Sequence, residues 1–179
     1  MTAKQPLLFV GVVLVSALLC SVLVWKYLSD WWELSAYFWY SIPGNSFLWL
    51  PHEPAVIYAG ALYSPALVAA VGGLATAIAS IIDHTLFTRA FRSSTLAPLK
   101  ESRVMRGVVE YFNRYPWWTI VVVALTPIPF YPLRIVAPLA NYPVARYVSA
   151  VVVGRVPRYF LLALGGSWAR QLTIGFDPW

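Results

Sequence analysis

Pro51-His52-Glu53-Pro54, followed by Pro65, and Pro129-Phe130-Tyr131-Pro132, followed by Pro143, are two proline-punctuated stretches in an otherwise apolar chain. The second set repeats the first at one constant offset of 78 residues, 51 to 129, 54 to 132 and 65 to 143. A constant offset over three prolines reads as a duplicated unit. Proline removes a backbone donor and opposes helix continuation, so each cluster should break its apolar stretch at membrane depth. Re-entrant hairpins or broken helices have that form. Interrupted hydrophobic segments at matching positions of a duplication point to a transporter's substrate site.

The composition places the duplication in a bilayer. Of the 179 residues, 60% are hydrophobic, 16% aromatic and only 11% charged, which excludes an ordinary soluble domain. Residues 7–25 are uncharged and, at 1.5 Å per residue, cross about 28 Å of hydrocarbon. The bulky Lys26-Tyr27-Leu28 that follows is no cleavage site, so this run is expected to be a retained transmembrane helix. Net charge is +6, which in a soluble chain would suggest nucleic acid. Here it is concentrated in residues 86–115, where Arg89, Arg92, Lys100, Arg103, Arg106 and Arg114 face only Glu101 and Glu110. By the positive-inside rule that loop is cytoplasmic and suited to anionic headgroups rather than nucleic acid. The lone Cys20 supplies neither a disulfide nor a cysteine-based metal site.

Working outward from the prolines, Trp31, Trp32, Tyr37, Phe38, Trp39 and Tyr40 read as an interfacial helix beside Asp30 and Glu33. The first repeat runs over 42–83, with a helix from Ser64 to Ile82 in which Ala69, Gly73 and Ala77 allow close approach of another helix. The second runs over 117–168, with its turn near Pro127–Pro132 and a last helix from about Ala145 to Trp168. If Lys4 and the basic loop are both cytoplasmic, the two hairpins enter from opposite faces. The expected fold is therefore an all-α integral membrane protein, a single domain. It is an inverted repeat of re-entrant hairpin plus transmembrane helix, with one extra N-terminal helix.

Ionised side chains at membrane depth are costly and normally face a cavity or a partner. Glu53 lies in the first cluster, and Arg134 follows the second, one helical turn beyond the position that matches Glu53. If the hairpin tips meet, the two approach each other. They then form either a proton- or ion-responsive carboxylate beside a phosphate-receiving guanidinium, or a structural ion pair between the repeats. Arg155 and Arg158, three apart beside Gly154 and Pro157, share a helix face and line a path for a phosphate or snorkel to an interface. Asp83-His84 is either a proton relay with Glu53 or an interfacial helix end. His52 next to Glu53 has no third metal ligand, and no cofactor motif, GxSxG, Walker A, HExxH or CxxC pattern occurs. An enzyme is not expected.

Residues 42–166 resemble the DedA superfamily, also called SNARE-associated Golgi or VTT-domain proteins. Pro51-His52-Glu53-Pro54-Ala55-Val56-Ile57-Tyr58-Ala59-Gly60 is similar to its first hairpin and Pro127–Pro143 to its second. Gly154-Arg155-Val156-Pro157-Arg158-Tyr159 through Gly165-Gly166 is similar to its closing helix. Two departures mark a divergent branch. Ala124-Leu125-Thr126 stands where many members carry an arginine, and Ala140-Asn141 where they tend to place glycine. The resemblance implies inverted re-entrant repeats and movement of a lipid between leaflets, undecaprenyl phosphate in bacterial members and phospholipid in eukaryotic ones. Glu53 and Arg134 are the positions that fit its hairpin acid and arginine. The implied partners are membrane lipids, with proton or sodium coupling and homo-oligomer formation left open. The implied location is a bacterial or archaeal plasma membrane. Ion-coupled export of small solutes and a non-transporting assembly role are the alternatives.

Overall fold

The protein is described here by a computed structural model over residues 4–27, 31–46, 50–91 and 103–175. Asp30 and the segment holding Arg92, Lys100 and Glu101 lie outside those residues. Among the described residues the chain forms helices and turns with no strand. In chain order these helices are α1 Lys4–Tyr27, α2 Trp32–Gly44, α3 Glu53–Leu62, α4 Pro65–Ala90, α5 Arg103–Arg114, α6 Pro116–Leu125, α7 Tyr131–Leu139 and α8 Val144–Gly175.

Four of the prolines act as helix starters. Pro54, Pro65, Pro116 and Pro132 each sit in the first turn of a helix, where the missing N–H would have had no intrahelical partner. The offset between the prolines recurs in the helix boundaries. Helix α3 begins at Glu53 and α7 at Tyr131, 78 residues apart, and each is followed by a long apolar helix, α4 or α8. Asn141 ends α7 in the left-handed region at φ 53°, the conformation that glycine favours and asparagine tolerates. The Tyr142 amide then donates to Ala137 O at 3.0 Å and the Asn141 amide to Pro138 O at 3.1 Å. This pair of bonds is a Schellman cap.

The packing is crossed. Helix α3 lies chiefly on α8, and α7 lies on α4, so each short helix packs on the long helix that does not follow it in sequence. Helix α2 packs on α4, α6 on α8 and α5 on α7, and α4 and α8 pack on each other at the centre. Small residues make this possible. A Cβ at Gly166 would sit 2.0 Å from the backbone oxygen of Ile57, so that crossing admits no side chain, and one at Gly73 would sit 2.6 Å from Val156 Cγ2, so that side chain would have to shift. The close approach expected at Gly73 is thus made by α8.

One core surrounds Val56, Val68, Ala69, Tyr159 and Ala163, and a second surrounds Ile120, Phe130, Val136, Tyr147 and Val151. Helix α1 is held by Ser21, whose Oγ accepts from Trp39 Nε1 at 2.9 Å and from Ser35 Oγ at 2.8 Å. Its outer face leaves Leu8, Val12, Val15, Leu19 and Val22 exposed. Leaving such side chains in water forfeits about 1.5–3 kcal/mol each, so this surface belongs against hydrocarbon. Pro65–Ala90 and Val144–Leu172 are long and apolar enough to cross a membrane.

Three sequence expectations change. The helix read as ending at Ile82 continues to Ala90, which puts Asp83 and His84 inside α4 rather than at an interfacial end. Both are buried there. The basic stretch 86–115 is not simply a loop, since it holds the last turn of α4 and all of α5. The aromatic segment over 31–40 is not wholly interfacial. Leu34, Tyr37 and Phe38 are buried in the bundle while Trp31, Trp32 and Tyr40 stay exposed.

Candidate functional site

Both proline breaks open onto one cavity of about 380 Å³. Pro51, His52 and Glu53 line it from the first break, Pro127–Tyr131 and Arg134 from the second, and Arg155 and Arg158 from α8. The four charged residues singled out in the sequence therefore share one cavity. They do not pair as expected. Glu53 and Arg134 each bond to another partner, and the reason is the crossed packing of the short helices.

Arg158 lies on α8 opposite the start of α3. Its Nη2 donates to Glu53 Oε1 at 2.8 Å, and its Nη1 donates to Thr126 O at 2.8 Å, at the end of α6. Glu53 is in the first turn of α3, where the helix dipole also favours a negative charge. Its side chain is 52% exposed against 18% for Arg158, so this pair is open to the surroundings. Arg134 lies on α7 opposite α4. Its Nη1 donates to Asp83 Oδ2 at 3.0 Å, and the two side chains are only 6% and 1% exposed. This pair is sealed in the protein. Each pair joins a short helix to the long helix that does not follow it in sequence, with the charges exchanged.

Arg155, one turn before Arg158, sits between them. Its Nη1 donates to Asn45 Oδ1 and to Tyr159 Oη, the latter at 3.0 Å. Tyr159 Oη also donates to Asn45 Oδ1, and Thr76 Oγ1 lies 3.0 Å from Tyr159 Oη. Asn45 in turn donates through Nδ2 to Ser41 O at 2.8 Å, with His52 Nε2 at 3.3 Å. The imidazole is 2.9 Å from Ser41 Oγ and sits under Tyr159, ring centroids 5.1 Å apart. Phe130, at the second break, lies between two guanidiniums, 5.2 Å from that of Arg155 and 5.9 Å from that of Arg134. Such cation–π contacts hold guanidiniums in place without neutralising them.

Asp83 and His84 do not line the cavity. His84 Nε2 is 2.8 Å from Tyr142 O, which fixes the Schellman-capped end of α7 to α4. Pro54 and Pro132 start α3 and α7, while Pro51 and Pro129 form part of the cavity wall. Sequence reading overlooked Asn45, Tyr159 and Phe130. Tyr159 carried a signal, being one helical turn from Arg155, whereas Asn45 stands 110 residues from its partner.

Residues 50–168 match the VTT domain. The chain belongs to the VTT-domain family. The DedA or SNARE-associated resemblance carried by the two hairpins and the closing helix is thereby confirmed, and with two long apolar helices the protein is an integral membrane protein of this family. Neither a curated protein nor a solved structure matches it. The VTT domain takes in α3 to α7 and most of α8 but leaves out α1 and α2. Ser41 and Asn45 are thus contributed to the cavity network from outside the domain proper.

Proposed function

We propose that this VTT-domain protein moves a phosphate-bearing lipid between leaflets, undecaprenyl phosphate or a phospholipid, with the cavity between the two proline breaks receiving the headgroup. The observation that carries this reading is a cavity walled by three arginines and one carboxylate, in a chain whose outer surface is apolar. Guanidinium forks match phosphate oxygens in geometry and charge, and they are weakly hydrated enough to work away from bulk water. A volume of about 380 Å³ holds a headgroup and not a whole lipid, which fits tails that remain in the bilayer.

In this reading the sealed Arg134–Asp83 pair holds α7 to α4 and fixes one wall. The open Glu53–Arg158 pair is the changeable element. An incoming phosphate competes with the Glu53 carboxylate for Arg158, and protonation of Glu53 is the simplest source of proton coupling. The repeats insert with opposite orientation, the second hairpin and the segment 86–115 on the cytoplasmic side of a plasma membrane.

The test is lipid translocation in proteoliposomes, with a labelled phospholipid and a polyprenyl phosphate run in parallel. Wild type is expected to move at least one of them, and Arg155→Gln is expected to stop it while remaining folded. Movement of a soluble anion with neither lipid translocated would replace this reading with solute export. No movement of any of them by folded protein would favour an assembly role.

A further inference from the structure

Arg155 is held in an unusual way. Both of its hydrogen bonds leave from one nitrogen, Nη1, and both go to neutral oxygens, Asn45 Oδ1 and Tyr159 Oη. Its Nε is buried without a hydrogen-bond partner. Among the described residues the ion pairs are Arg134–Asp83 and Arg158–Glu53, so no carboxylate stands within ion-pair distance of Arg155. A buried donor without a partner costs on the order of 1–3 kcal/mol, more on a charged group. A buried guanidinium is normally matched by a carboxylate. Here the position that would hold one is occupied by the amide of Asn45.

We propose that Arg155 is the anion seat of the cavity, and that Asn45 and Tyr159 are positioning residues that hold it by one nitrogen. Its Nε–Nη2 edge and its charge are thereby left for a phosphate monoester. The inference rests on the phosphate-receiving reading of the cavity and adds the residues that set it. The Nε–Nη2 edge is one of the two-nitrogen forks with which arginine takes a phosphate. Phe130 covers the guanidinium at 5.2 Å and leaves its charge intact. Arg158, one turn along α8, supplies the second cationic contact once Glu53 is displaced. Asparagine at 45 accepts the Arg155 and Tyr159 hydrogen bonds as aspartate would, without cancelling the charge.

The choice between amide and carboxylate gives a sharp test. Asn45→Asp keeps the acceptor for Arg155 and Tyr159 and adds one negative charge at the seat. Asn45→Ala removes the acceptor and adds none. If Asn45 only braced the fold, alanine would be the more damaging change. If it keeps the seat cationic, aspartate is.

The experiment measures binding to the full chain in nanodiscs, through the rise in unfolding midpoint with ligand. One arm uses inorganic phosphate and the other a polyprenyl monophosphate carried in the disc. Wild type is expected to bind, Asn45→Asp to bind roughly ten- to a hundredfold more weakly, and Asn45→Ala to fall between them. Binding in the disc arm alone marks a lipid headgroup as the source; binding in both marks the phosphate itself. Arg155→Lys, which keeps the charge and lacks the fork, is expected to lose at least tenfold and serves where Asn45→Asp fails to fold. Wild-type affinity in either Asn45→Asp or Arg155→Lys, or weaker binding by Asn45→Ala than by Asn45→Asp, overturns the seat while leaving the cavity's function standing. A wild type that binds neither probe overturns the phosphate reading itself and the seat with it.

Discussion

The sealed Arg134–Asp83 pair and the open Glu53–Arg158 pair are built alike and live in opposite environments. Each ties a short helix to the long helix that does not follow it in sequence. One is closed off, at 6% and 1% exposure, and the other presents a half-exposed carboxylate to the cavity, at 52%. The crossed packing therefore supplies two interhelical clasps, of which one can be given over to structure and the other left free to open. Burial decides which is which. A charge in a sealed site cannot let go of its partner without a large penalty, whereas a partly exposed one exchanges its partner for water or a ligand at little cost.

The largest effect that would break this comparison is on stability. Arg134→Ala takes the ion-pair partner from the buried Asp83 carboxylate and is expected to cost about 3–5 kcal/mol, read as a fall in unfolding midpoint in detergent. Arg134→Leu combined with Asp83→Leu removes both charges and is expected to recover most of that loss. A single Arg134→Ala variant as stable as wild type would mean that the sealed pair is no clasp.

The open pair should behave in the opposite sense. Glu53→Gln is expected to change stability by no more than about 1 kcal/mol, because the carboxylate is half exposed. It is expected to slow lipid translocation, measured as initial rates. A loss of folding in Glu53→Gln would make the two clasps alike and remove the distinction. The smallest perturbation sharpens the symmetry behind the comparison. Single cysteines replacing Ser64 and Asn141, which follow α3 and α7, are exposed. In a Cys20→Ser background they are expected to label from opposite faces of the membrane, and labelling from the same face would contradict inversion.

Much of this was legible in the chain itself. The prolines at an offset of 78 marked where α3 and α7 begin, and the cost of charge at membrane depth picked out Glu53, Arg134, Arg155 and Arg158, which do share a cavity. The pairing was not legible. Sequence register suggested that the two hairpins meet tip to tip, joining Glu53 to Arg134, but side chains pair according to which helix crosses which. That crossing is set by the close contacts at Gly60, Gly73 and Gly166, spread over more than 100 residues. Asp83 was misplaced for a local reason. Asp-His at the end of an apolar run resembles a helix terminus, and only a buried arginine from another helix makes a carboxylate tolerable two turns before the true end. Asn45 gave no signal at all, being one polar residue after a Pro-Gly pair and outside the VTT domain.

The most direct test of the account is polyprenyl phosphate translocation in proteoliposomes by wild type and Arg158→Gln, with the unfolding midpoint taken on the same preparations. The account predicts translocation by wild type and at least a tenfold slower rate in Arg158→Gln at a nearly unchanged midpoint. Translocation at the wild-type rate by Arg158→Gln, or a loss that merely follows unfolding, would contradict it.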